Sequence, residues 1–125
     1  MANLNTLSST LLSTTTVALN ADADTTLYTV PTGKRCVLTH VVLVAGADAG
    51  TTNISIGADG AETDFLPLQT LSNLDAQYDA VTMMPVPNTT PTKCKSYAGG
   101  IVIQAQVTNQ AGGATNTLYL FGFLY

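Results

Sequence analysis

An all-β fold, a single antiparallel sandwich, follows from three features of this 125-residue chain. Its apolar residues recur with a period of two, in short runs rich in Val, Thr, Ile, Leu and Tyr. Such β-branched and aromatic residues suit a pleated, half-buried surface. Gly, Pro, Asn and Asp clusters punctuate the runs at the spacing of a sandwich or barrel. The third feature is Thr25–Val44, TTLYTVPTGKRCVLTHVVLV, where two such runs flank Pro31-Thr32-Gly33. Pro31 presets a turn and Gly33 tolerates positive φ, so two consecutive strands meet there. They form a hairpin if the loop is tight and a sandwich corner if it is not.

The length suits one domain with one core. Residues 1–16 are polar, with Leu4, Leu7, Leu11 and Leu12 spaced like one helix face. Ser and Thr favour helices weakly, so this segment reads either as a free tail or as an arm that lays its leucines on a neighbouring subunit. The sandwich domain is then 17–125. A first strand is expected over Thr14–Asn20, with Val17 and Leu19 on one face. The second is Thr25–Val30 and the third Arg35–Ala45. Strict alternation in the third puts Cys36, Leu38, His40, Val42 and Val44 on one face and Val37, Thr39, Val41 and Leu43 on the other.

Asn53–Gly57 reads as a strand, followed by a turn at Asp59-Gly60. Asp64–Leu68 is a short strand that Pro67 confines to a sheet edge. Ala76–Met84 and Lys93–Tyr97 are further strands, separated by the Pro-rich loop PVPNTTP. In Ile101–Thr108 the residues Ile101, Ile103, Ala105 and Val107 point inward, and Gln104 and Gln106 outward. Thr117–Tyr125 closes the chain, with Tyr119, Phe121, Phe123 and Tyr125 on one face and Leu118, Leu120 and Leu124 on the other. A strand apolar on both sides needs both sides covered. Gly122 marks a bulge or a close backbone approach. About eight strands in two packed sheets is the jelly-roll number. An immunoglobulin-like sandwich is the alternative, although the chain has no Trp for that fold's core.

Charged residues make up 10% of the chain, against a typical ~25%. So little surface charge suggests a body covered by other subunits, since exposed sheet edges invite association. Net charge is −4 and there is no basic stripe, so no nucleic-acid partner is expected. The bases come as two small pairs, Lys34-Arg35 and Lys93-Cys94-Lys95, which could dock an acidic partner if they met in space. No run approaches the ~20 apolar residues of a membrane helix, so no membrane partner is expected. No positive segment precedes an apolar stretch, so no secretory signal is expected.

The search for catalytic chemistry returns little. His40, the lone histidine, sits mid-strand in an apolar run and reads as a packed histidine rather than a general base. Cys36 and His40, at i and i+4 on one strand, lie roughly 13 Å apart, too far to share a metal. Cys36 and Cys94 are either a bridge or, the reading preferred here, free buried thiols. Asp59, Glu62 and Asp64 match no calcium-loop pattern and read as a solvated turn. No nucleophile elbow or phosphate loop is present in the sequence. No enzyme activity, cofactor or metal is expected.

On Thr25–Val44, NISIG at Asn53–Gly57 and the apolar last strand, the chain resembles small β-sandwich structural proteins of tailed-phage virions. The resemblance covers about half of the chain. That family includes capsid decoration (cement) proteins and head- or tail-fibre domains. It implies a jelly-roll domain that forms a homotrimer and binds the major capsid protein or another virion protein. It implies a location on the capsid surface after assembly in the host cytoplasm, and no catalytic residues. The alternative is a fibre or tail domain that binds a host-surface glycan. The residues expected to make subunit or capsid contacts are Leu4, Leu7, Leu11, Leu12, Tyr119, Phe121, Phe123 and Tyr125.

Overall fold

The structure is a computed structural model, and it describes residues 9–85, 94–110 and 115–125. Among the described residues nine strands run in order: β1 (Thr10–Ala18), β2 (Ala23–Thr29), β3 (Arg35–Ala45), β4 (Asn53–Ala58), β5 (Ala61–Thr70), β6 (Ala80–Met83), β7 (Ser96–Ala98), β8 (Val102–Thr108) and β9 (Thr115–Leu124). They form a five-stranded sheet, β1-β9-β3-β6 with β7 also on β3, and a four-stranded sheet, β2-β8-β4-β5. Every pairing is antiparallel.

The pairs β1·β9, β2·β8, β3·β6 and β4·β5 nest like a long hairpin closed at the β4–β5 turn. Rolling that hairpin up places alternate pairs in opposite sheets and adds the contacts β3·β9 and β4·β8. This is the double-sheet jelly roll expected from the strand pattern, with β7 added at one end. The core lies between the sheets. Leu43, Leu118 and Leu120 from one sheet meet Ile54, Ile56 and Ile103 from the other, all essentially inaccessible to water. Each such side chain contributes roughly 1.5–3 kcal/mol by leaving water.

The Pro31–Lys34 turn is tight, closed by Lys34 N–H donating to the Pro31 carbonyl at 3.1 Å, with Gly33 at φ 80°. Yet β2 and β3 lie in different sheets, so the turn is a sandwich corner and not a hairpin.

Four expectations are corrected. The first strand begins at Thr10, so residues 10–16, expected as part of an arm, are sheet. Their register along β9 supplies the ladder partners that a short Ser/Thr helix lacks. In β3 a bulge between Leu38 and His40 shifts the alternation. Cys36, Leu38, Val41, Leu43 and Ala45 face the core, while Val37, His40, Val42 and Val44 face out. One extra residue reverses the side on which every later side chain falls. The strand expected over Ala76–Met84 shrinks to β6, because Tyr78 takes φ 75° and turns the chain. Ile101 precedes β8 and is partly exposed, not inward. Most of the expected Pro-rich loop PVPNTTP and positions 111–114 lie outside the described residues.

Candidate interaction face

The two sheets present opposite outer surfaces. On the four-stranded sheet the outward positions along β2 and β8 are mostly polar, while Leu68 of the edge strand β5 is 52% exposed. Gln104 and Gln106 of β8 lie beside Thr26 and Asp24 of β2 and beside Ser55 of β4. On the five-stranded sheet they are uncharged at the centre, aromatic and aliphatic residues mixed with Thr14, Thr82 and His40. In β9, Leu118 and Leu120 are buried inward, which leaves Tyr119, Phe121 and Phe123 half-buried on the outside. The register sets Tyr119 opposite Val42, Phe121 opposite His40 and Phe123 opposite Val37. Across the other flank of β9, Phe121 is opposite Leu11 and Tyr119 opposite Thr14. Leu11 is 50% exposed.

Gly122 interrupts the inward row of β9. A Cβ there would collide with the Val37 carbonyl and approach Leu12 Cδ1 at 3.0 Å. The close backbone approach expected at this glycine is therefore present. Leu12 turns inward past Gly122 and packs against the core, so it supports the sandwich and is not part of the face. Leu4 and Leu7 lie outside the described residues.

His40 belongs to this face. Its ring stacks on Phe121 with centroids 4.5 Å apart and 4° between planes. Its Nδ1 shares a hydrogen bond with the Thr39 hydroxyl at 3.0 Å, and that hydroxyl shares another with Ser9 at 2.7 Å. Cys36 points into the core on the far side of the bulge, so the two residues do not share a strand face. The packed-histidine reading thus describes His40, although its setting is a surface stack.

At one end the face meets a small basic corner. Arg35 N–H donates to the Tyr125 carbonyl at 2.8 Å, and Arg35 Nε donates to Ser96 Oγ at 3.1 Å. Ser96 Oγ also shares a 3.1 Å hydrogen bond with the Tyr125 hydroxyl, which is exposed. The Ser96 bond and then the Arg35 guanidinium pull the Tyr125 hydroxyl below its usual value. Lys95 stands beside Ser96 and shares a pocket with Arg35, although its ammonium turns to Asp64, while Lys93 lies outside the described residues. Arg35, Cys94, Lys95 and Ser96 line a pocket of about 380 Å³. Both cysteines are free, as expected, but only Cys36 is buried; Cys94, expected buried, is exposed ahead of β7.

Behind this corner a polar clasp joins the sheets. Asp64 of β5 accepts from Tyr97 Oη of β7 at 2.7 Å and from Ala58 N–H at 3.2 Å. It also pairs with Lys95 at 3.3 Å. Burial first, then the bond to Asp64, push the Tyr97 hydroxyl well above the usual tyrosine range. Asp64 therefore works as a structural acceptor, not as part of a solvated acidic turn. Asp59 and Glu62 remain at the exposed β4–β5 turn, where Glu62 accepts from Gly60 N–H at 2.8 Å. Among the described residues no group of three or more His, Cys, Asp or Glu side chains is placed to hold a metal.

Fold and face together define the class: a small jelly-roll β-sandwich with an aromatic stripe, uncharged at its centre, on one sheet surface. Two solved structures contain chains of this fold. One is the acidic stable capsid structure of Helicobacter pylori bacteriophage KHP30, matched with TM-score 0.61 at 17% identity, over 92% of this chain and 86% of that one. The other is the cyanophage Pam1 capsid asymmetric unit, with TM-score 0.54 at 14% identity, over 92% of this chain and 84% of that one. No family model matches the chain, and no curated protein matches it.

Proposed function

We propose that this chain is a non-enzymatic structural protein of a phage virion, a capsid decoration (cement) protein that binds the assembled head as a homotrimer. The observation that carries the reading is the outer face of the β1-β9-β3-β6 sheet. Three aromatic rings with Val42 and Val44 stand half-buried on the surface of the single chain, with no charged residue between them. A surface of that kind marks an interaction site. The fold shared with chains of two phage capsid structures supports placing that interaction in a virion.

A partner that binds only the assembled shell stabilises it by mass action. Many symmetric copies then add strength through effective concentration without any single strong contact. Leu11, Tyr119, Phe121, Phe123 and Tyr125 make contacts between copies of the chain in this reading, and the head is met by other surfaces of the trimer. Residues 1–8, with Leu4 and Leu7, act as an arm that reaches a neighbouring subunit. The glycan-binding alternative calls for aromatic rings around a groove, whereas the rings here line a sheet face.

Light scattering of the purified protein and co-sedimentation with undecorated heads of its phage test the proposal. Trimers that bind assembled heads but not free capsid subunits are expected. A strict monomer that binds no head overturns it, as does strong, selective binding on a glycan array.

A further inference from the structure

We propose that the outer face of the β1-β9-β3-β6 sheet docks a second copy of the same face, related by a two-fold axis that sets the strands of the two copies antiparallel. The inference rests on the reading of this face as an assembly surface and names its occupant. The distribution of charge around the face selects that occupant.

The centre of the face is uncharged, and His40 is its one histidine. Its two ends differ in sign. Lys34 and Arg35, both exposed, stand where β3 begins, with Arg35 held against Tyr125 and Ser96. Where β3 ends, the loop from Leu71 to Asp79 closes over Ala45. There Ala45 N–H donates to the Asp79 carbonyl at 2.7 Å, and Tyr78 N–H to the Ala45 carbonyl at 2.9 Å. That loop carries Asp75 and Asp79, and Asp48 lies in the adjoining loop, where Ala49 N–H donates to Leu74 at 2.8 Å. All three described bases, Lys34, Arg35 and Lys95, lie at the opposite end, and Lys95 is already paired with Asp64. The acids at the basic end, Asp59 and Glu62, sit on the β4–β5 turn of the other sheet.

Ten residue steps of β3 separate the ends by roughly 33 Å, several times the ~8 Å screening length at physiological salt. Each end therefore acts as its own local charge. An isologous contact brings the same patch together twice. With strands parallel, Lys34 and Arg35 of both copies would meet, as would both acidic loops. With strands antiparallel, each basic end faces an acidic one. Burial of the aromatic and valine surface supplies the affinity, and the rims set orientation. A two-fold contact closes on itself, so it joins one trimer to another and does not build the trimer.

Sedimentation velocity over a concentration series tests this, with circular dichroism as the check on folding. Hexamers, two trimers joined face to face, are expected as concentration rises, or dimers where the three-fold contact does not hold. Tyr119→Lys should weaken association by tenfold or more, on the order of what one buried charge costs. Thr14→Lys, at an exposed position of the same face, should do so without loss of packing. Arg35→Glu and Asp75→Lys should each weaken it several-fold at low salt, and the two combined in one chain should restore it. Folded monomers or trimers at every concentration overturn the proposal, as does a double variant no better than its parents. If such a protein still binds heads, the two-fold contact fails and the decoration role stands. If dimers form and respond as expected but no head is bound, the contact stands and the decoration role fails.

Discussion

At the scale of single residues, two buried groups set how the fold responds to pH. Cys36 is buried in the core, and burial pushes its thiol up to about 11. Tyr97 is raised by the same cause and by its bond to Asp64. Both groups fold in their protonated forms. Above the ordinary thiol value of about 9 the unfolded chain releases protons that the folded chain keeps, so stability falls as pH rises. The loss should begin near pH 9 and continue through 11. Thermal melts across that range should show it, and Cys36→Ala should flatten its lower part. Tyr97→Phe should cost about 1 kcal/mol in denaturant melts near neutral pH, because Asp64 keeps Lys95 and the Ala58 N–H. A Tyr97→Phe variant as stable as the parent would mean that the clasp does not tie the sheets.

At the scale of elements, β1 separates two questions that the sequence merges. The leucine spacing of residues 1–16 suggests one unit, but the sheet takes Thr10–Ala18 as the partner of β9. Removing residues 1–8 should leave the melting temperature nearly unchanged while weakening assembly or capsid attachment. Removing 1–16 should destabilise the fold itself, because it exposes the ladder of β9 and takes away Leu12 from the core edge. Circular dichroism melts of both truncations, read beside head binding, distinguish the roles. Equal loss of stability in the two would place structural weight on the first eight residues. Gly122 belongs to this scale too. Gly122→Ala should destabilise by a few kcal/mol, since its Cβ meets the β3 backbone and not a side chain that can move.

For the whole molecule the jelly roll is a fold of distant partners. β1 pairs with β9 and β2 with β8, so the first and last thirds of the chain must meet before either sheet exists. Closure of such long loops precedes the contacts that reward it. Refolding by stopped-flow fluorescence should accordingly occur in milliseconds to seconds, in the range of all-β sandwiches. Microsecond folding would contradict this topology. The whole molecule also explains why its low charge looks ambiguous in the sequence. Among the described residues most charges lie toward strand ends and turns, and the centre of one sheet surface carries none.

Local physics made the fold class, most strand positions, the edge placement of Pro67, the turn at Gly33 and the two-faced last strand legible in the sequence. Each depends on side-chain period or on backbone freedom within a few residues. Three things were decided only by the tertiary structure. The bulge at Leu38–His40 moved His40 from the side of Cys36 to the aromatic face, because its extra residue is set by the register with β9. Asp64 became an inter-sheet acceptor because rolling the sandwich carried β5 to β7. The aromatic stripe became a continuous surface because β3 and β1 flank β9, an adjacency between residues about a hundred positions apart that no local pattern encodes.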